Sequence, residues 1–156
     1  MYLHAIFKEE IMKLPEYVTT GEVQRVCKEL KIRDWTKLKA AKVLPKEAEI
    51  ILKNVNIEKM KIPIEEFRRG LEVELEHGTV FKDANVTNNH PLLTGKIVLA
   101  HLKEMMDYYE RLEVAELEGD LLKATLAKDA VKIRKYFKRL ADARRNLSTA
   151  ESAQLG

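Results

Sequence analysis

EFRRGLEVELEHGTVFKDANVTNNHPLLTGKIVLAHLKEMMDYYERL, residues Glu66–Leu112, is the stretch on which the fold turns. Its first part carries two periodicities. Leu71, Val73 and Leu75 alternate with Glu72, Glu74 and Glu76, as in a half-buried strand. Phe67, Leu71 and Leu75 recur at four-residue spacing, and Arg68 and Glu72 stand four apart, as on a helix. Phe67 makes the helical stripe the longer of the two, so the reading is a helix opened by Pro63. Gly78 then falls where a left-handed residue would end it. Thr79–Pro91 reads as a loop, with turn chemistry in Asp83, Asn85, Asn88 and Asn89. From Leu92 the period is helical: Val98, Leu102, Met105, Tyr109 and Leu112 form one continuous stripe.

The flanks repeat the pattern. Tyr2–Leu14 reads as a short helix ended by Pro15. Thr19 or Thr20 caps the next, with Glu22 in its first turn and Val23, Val26, Cys27 and Leu30 as its apolar face. Asp34 caps a turn carrying Trp35, and Pro45 starts a helix with Ala48, Ile51, Leu52 and Val55 inward. Beyond Leu112, Val114, Leu117, Leu121 and Ala124 continue the stripe on a shifted face, and Gly119-Asp120 loosens its middle. Asp129 caps a last helix in which Ile133, Leu140 and Leu147 recur every seven residues with Phe137 between them. That is a seam for a partner helix, internal or external. Ser148–Gly156 reads as a small polar tail.

Composition agrees. Charged residues make up 34% of the 156, with Gly and Pro scarce, which favours long exposed helices. One cysteine excludes an internal disulfide framework and a cysteine-only zinc site, and Cys27 suits a small buried hydrophobe. No run reaches transmembrane length, and the start lacks the basic region of a signal peptide. The expectation is a cytoplasmic protein, or one incorporated into a virion. The net charge of +3 hides an asymmetry. Ala130–Leu147 holds seven basic residues against Asp142 alone, which leaves the remainder acidic.

Four blocks carry a family resemblance: FRRGLEVELEHG (Phe67–Gly78), NVTN (Asn85–Asn88), PLLTGKIVLAHL (Pro91–Leu102) and DYYERL (Asp107–Leu112). In these the chain resembles an uncharacterised domain-of-unknown-function family found in bacteria and tailed phages. Thr20–Leu38 is similar to its lead-in helix more loosely. The resemblance implies a compact helical domain without assigned catalytic residues. The chain departs from the family pattern in having Asn89 and His90 where acids follow NVTN, which weakens a cation-binding reading. It has Met106 where Pro often precedes DYY, which lets the helix run through Asp107. Against that pattern Lys39–Lys61 is an insertion and Leu117–Gly156 an extension, additions that fit a member adapted to a particular assembly.

Three chemistries compete. Glu74-x-x-His77 and His101-x-x-Glu104 each place an imidazole and a carboxylate on one helical face, a pairing that suits zinc, iron or manganese. A di-iron bundle needs two such Glu-x-x-His helices in that order and two further Glu helices, and this chain has one. The same residues serve equally as a solvated Glu74, a His77 at a helix end and a hydrogen-bonded His101. No serine elbow or Gly-rich phosphate loop is present, and Cys27 has no nucleophile signature. The basic C-terminal helix could meet phosphates or an acidic protein, with its aromatics turned inward by the Ile133-Phe137-Leu140 stripe.

The sequence therefore predicts an all-α fold: a multi-helix compact domain over residues 1–127, family-like at 63–112, and a basic C-terminal helix and polar tail over 128–156. The expected function is that of a non-catalytic structural or interaction protein in an assembly such as a phage particle. It needs no cofactor and meets other protein subunits as a homo- or hetero-oligomer, with nucleic acid the less favoured partner and no membrane. Ile133, Phe137, Leu140 and Leu147 are the expected docking residues. Arg134, Lys138, Arg139 and Arg145 are the expected contacts to an acidic partner or nucleic acid. Glu74, His77, His101 and Glu104 would serve the metal alternative.

Overall fold

A computed structural model describes residues 15–156, so the helix expected at Tyr2–Leu14 lies outside the described residues. Every regular element described is helical: α1 (Thr20–Leu30), α2 (Pro45–Val55), α3 (Ile64–Val80), α4 (Pro91–Glu104), α5 (Tyr108–Leu126) and α6 (Ala130–Leu155), with single 3-10 turns at Trp35–Lys37 and Lys82–Ala84. The all-α expectation holds, and the helical period of Phe67, Leu71 and Leu75 prevails over the alternating one. All three side chains are buried, while Val73 is only partly covered.

Local chemistry sets most boundaries. The Thr19 hydroxyl accepts from the Glu22 amide at 3.2 Å, and the Asp34 carboxylate from that of Thr36 at 3.1 Å. Pro45 and Pro91 occupy first helical positions, where a missing amide proton costs nothing. Glu47 is buried and reaches back to the Leu44 amide at 3.0 Å. It also accepts from Arg33 Nη2 at 2.6 Å, Arg33 Nε at 2.9 Å and the Arg33 amide at 3.2 Å, tying the α1–α2 connection to α2.

The main core lies among α1, α2, α3, α4 and the start of α5. Val23, Cys27, Trp35, Ile51, Phe67, Leu71, Val98, Leu102 and Tyr109 all meet there. The supposed insertion belongs to this core, since α2 supplies Ala48, Ile51 and Val55. Helices α5 and α6 fold back on each other as a hairpin with a second cluster of Leu117, Leu140 and Ala143, flanked by Val114, Leu121 and Tyr136. Lys128 turns the chain at φ 53°, and Asp129 caps α6 through the Lys132 amide at 3.0 Å.

Three boundary expectations need correction. The stripe through Met105 is broken: Met105 is extended at φ −163°, and α5 restarts after Asp107. The break rotates Tyr109 inward over Gly70 and lets buried Asp107 accept from Arg111 Nη2 at 2.8 Å and Gln154 Nε2 at 3.1 Å. Gly78 does not end α3, which continues to Val80. Gly119, read as loosening the middle of this stretch, lies within a continuous α5. Ser148–Leu155 is helical, and the hydroxyls of Thr149 and Ser152 are accommodated by bonding back to the carbonyls of Arg145 and Ser148. Glu151 and Gln154 then tie that end to Arg111 and Asp107 at the base of α5.

Candidate functional site

Helix α6 is 26 residues long, roughly 40 Å at 1.5 Å per residue. Its heptad seam is consumed inside the molecule. Leu140 is buried against Leu117, and Ile133 and Leu147 are half-buried, so three of the four expected docking residues face α5 wholly or in part. Phe137 behaves otherwise. It lies off the seam and is 60% exposed, contrary to the inward packing expected of it, whereas Tyr136 does pack into the second cluster. Val131 is 79% exposed six residues earlier, about 120° round the helix from Phe137.

Around these two apolar side chains stand Arg134, Lys135, Lys138 and Arg139. None of the four has a carboxylate within ion-pair distance among the described residues. The other basic residues of α6 are engaged: Lys132 with Asp129 at 3.6 Å, Arg144 with Glu118 at 2.8 Å, and Arg145 with Asp142 at 3.4 Å. Arg145 thus leaves the expected contact set partly committed, and Lys135 joins it. The spacing of Val131, Arg134, Lys135 and Lys138 puts them on one face, where with Ala130 they line a shallow depression of about 350 Å³.

A second surface lies between α3 and α5. Val73, Val80, Phe81 and Gly119 line a groove of about 440 Å³, with Glu76, Glu116 and Asp120 among its other lining residues and His77 and Lys123 as its cations. Asp120 pairs with Lys123 at 3.5 Å, while Glu76 and Glu116 have no ionic partner among the described residues. Loss of water, and then the neighbouring Glu76 carboxylate, raises the Glu116 pKa above its ordinary value. His77 opposes the shift. Val80 and Phe81 are more than half exposed.

The four proposed metal ligands do not converge. Glu74 and His101 meet at 3.5 Å, but the Glu74 carboxylate also accepts from Tyr109 Oη at 3.1 Å, and the His101 ring stacks on Tyr108 at 4.0 Å between centroids. Burial and then Glu74 push the Tyr109 phenol well above its usual range, so it remains a donor. His77 lies instead in the α3–α5 groove, and Glu104 is exposed at the end of α4. Among the described residues no group of three or more His, Cys, Asp or Glu side chains is placed to hold an ion.

The Asn-rich loop closes over α3. A Cβ at Gly78 would stand 2.1 Å from Asn89 Oδ1 and 2.8 Å from Asn85 Nδ2. The amide of Asn85 donates to the Gly78 carbonyl at 3.3 Å and to Asn89 Oδ1 at 3.0 Å, and Asn88 donates to the Val18 carbonyl at 2.6 Å. Asn88 and Asn89 both adopt positive φ, which asparagine tolerates better than most residues. His90 Nδ1 accepts from the amides of Leu92 and Leu93, so His90 caps α4 as a neutral ring; burial lowers its pKa. These motif residues lock the chain to itself.

Two features escaped the sequence. Arg69 clamps α5 to α3 through Glu110 at 2.9 Å, Glu113 at 2.7 Å and the Tyr109 carbonyl at 3.2 Å. Glu66 and Glu110 face each other with one buried, otherwise unpartnered oxygen apiece. Burial and the neighbouring Glu110 carboxyl raise the Glu66 pKa above its ordinary value. Contacts separated by some forty positions leave no periodic trace in a sequence.

The chain is thus an all-α domain with a helical hairpin arm whose polar groups mostly bind the helices together. Residues 23–118 match the family described as "Protein of unknown function (DUF5661)", and the chain belongs to that family. The match takes in α2 and ends within α5, so α6 lies beyond it. No curated protein and no solved structure matches the chain.

Proposed function

We propose that the protein is a non-catalytic interaction component of a larger assembly, and that it docks through the outer face of α6 onto an acidic protein surface. The observation that carries this reading is the set Arg134, Lys135, Lys138 and Arg139, free of carboxylate partners among the described residues and accompanied by exposed Val131 and Phe137. An aromatic anchor among arginines is the composition of interface hot spots. Exposed aliphatic area beside the charges favours protein over nucleic acid, whose contacts are dominated by phosphate and salt. A phage particle is the setting that the family resemblance suggests.

The test replaces all four cations by glutamine and follows the protein on a density gradient of lysate from cells that produce the assembly. Co-sedimentation of the wild type with larger particles, unaffected by nuclease and lost in the variant with its helical spectrum intact, is the expected result. Co-sedimentation abolished by nuclease, or retained by the variant, contradicts the reading.

A further inference from the structure

We propose that the α6 face of one copy docks in the α3–α5 groove of a second copy of this chain. The proposal rests on the reading of α6 as a docking face and names one partner for it. Charge complementarity selects that partner. The face offers Arg134, Lys135, Lys138 and Arg139, and the groove offers Glu76 and Glu116, also without ionic partners among the described residues. The apolar parts match as well: Val131 projects from the middle of the face and Phe137 from its edge, one turn along from Arg134, and Val73, Val80 and Phe81 line the groove.

Gly119 supplies an independent observation. Glycine within a helix costs roughly 1 kcal/mol relative to alanine. At Gly70 the missing Cβ is explained by packing, but at Gly119 nothing stands within 4 Å of where a Cβ would be. The fold therefore does not require this glycine, and its side of α5 lines the groove. An incoming side chain such as Phe137 uses the space that it leaves.

A chain's own α6 is held away from its own groove. Leu140 and Ala143 pin α6 to α5 at Leu117, and Arg144 bonds Glu118 on that flank, whereas Glu116, Gly119, Asp120 and Lys123 line the groove. Face and groove are different surfaces, so the contact is head-to-tail. It closes into a ring or grows into a chain with a free face at one end and a free groove at the other.

Complementation tests this. Gly119→Leu puts a side chain into the groove from a position whose Cβ meets nothing within 4 Å and improves helix propensity, and Phe137→Asp disables the face. Sedimentation equilibrium at low salt should show the wild-type mass rising with concentration and falling with added salt. Each variant alone should self-associate at least about tenfold more weakly, about 1.4 kcal/mol. An equimolar mixture should form a dimer and no larger species, because it retains one intact face and one intact groove. Glu116→Lys provides a second groove variant if Gly119→Leu perturbs the fold. A wild type that stays monomeric, a groove variant that associates normally, or a mixture that does not pair would overturn the proposal. A monomeric wild type that still joins larger particles by way of the four cations would remove self-docking alone and leave the docking face standing.

Discussion

The same substitution at two helical glycines should shift stability in opposite directions. Gly70 sits in α3 where α4 and α5 cross it. An alanine Cβ there would stand 2.5 Å from Val98 Cγ1 and 2.6 Å from Tyr109 Cε2. Both neighbours are buried and cannot swing aside. Overpacking of this kind costs about 1–3 kcal/mol, and three atoms closer than 3.0 Å put Gly70→Ala at the upper end. Alanine recovers roughly 1 kcal/mol of helix propensity, leaving a net loss of about 2 kcal/mol. Gly119→Ala gains the same propensity term with no steric cost, so it should stabilise the monomer by about 1 kcal/mol, or roughly 2–4 °C in Tm. Urea unfolding followed by circular dichroism at low protein concentration measures both, with the slope expected to stay constant and the midpoints to separate. Equal shifts, or a stabilised Gly70→Ala, would mean that α4 and α5 do not cross α3 at Gly70.

Other consequences follow from the packing. Glu47→Ala should destabilise the chain by about 2–3 kcal/mol, because it strips Arg33 and two amides of their acceptor. Burial alone would raise the Glu47 pKa, but Arg33 and those amides outweigh it and hold it below the ordinary glutamate value. Its stabilising contribution is therefore present above that value and lost as pH falls through the lower folded one, so acid titration of the variant should lose stability less steeply. Leu140→Asp should melt α6 away from α5 while the first core persists: ellipticity falls and Trp35 emission keeps its wavelength, whereas a red shift would show the cores to be one cooperative unit. Cys27 is buried, and burial pushes its thiol pKa up, so a thiol reagent should label it only at the rate of unfolding; rapid labelling of native protein would contradict the α1 packing.

Local rules read much of this fold correctly. The Thr19 and Asp34 caps, the prolines that open α2 and α4, and the buried stripe of α3 are all encoded within a few residues of where they act. The misreadings arose where distant contacts overrode local preference. Gly78 has the residue type of a helix stop, but the loop amides of Asn85 and Asn89 need its missing Cβ, and the helix runs on. Met105 continues an apolar stripe, but burying Tyr109 on Gly70 breaks the helix there. Ser148–Leu155 has the composition of a tail, but Arg111 and Asp107 capture its Glu151 and Gln154. For the site, the charge asymmetry of α6 was visible in the sequence. Which side of the heptad faced outward was not, because that depends on where α5 lies. The α3–α5 groove joins residues some forty positions apart and has no sequence signature.

The outer face of α6 as a docking surface is the centre of the account, and site-specific photocrosslinking tests it most directly. A photoreactive side chain at Phe137 should capture protein within the intact assembly, and the same group at exposed Lys46 on α2 should not. Equal labelling at the two positions, or capture of nucleic acid at Phe137, would contradict it.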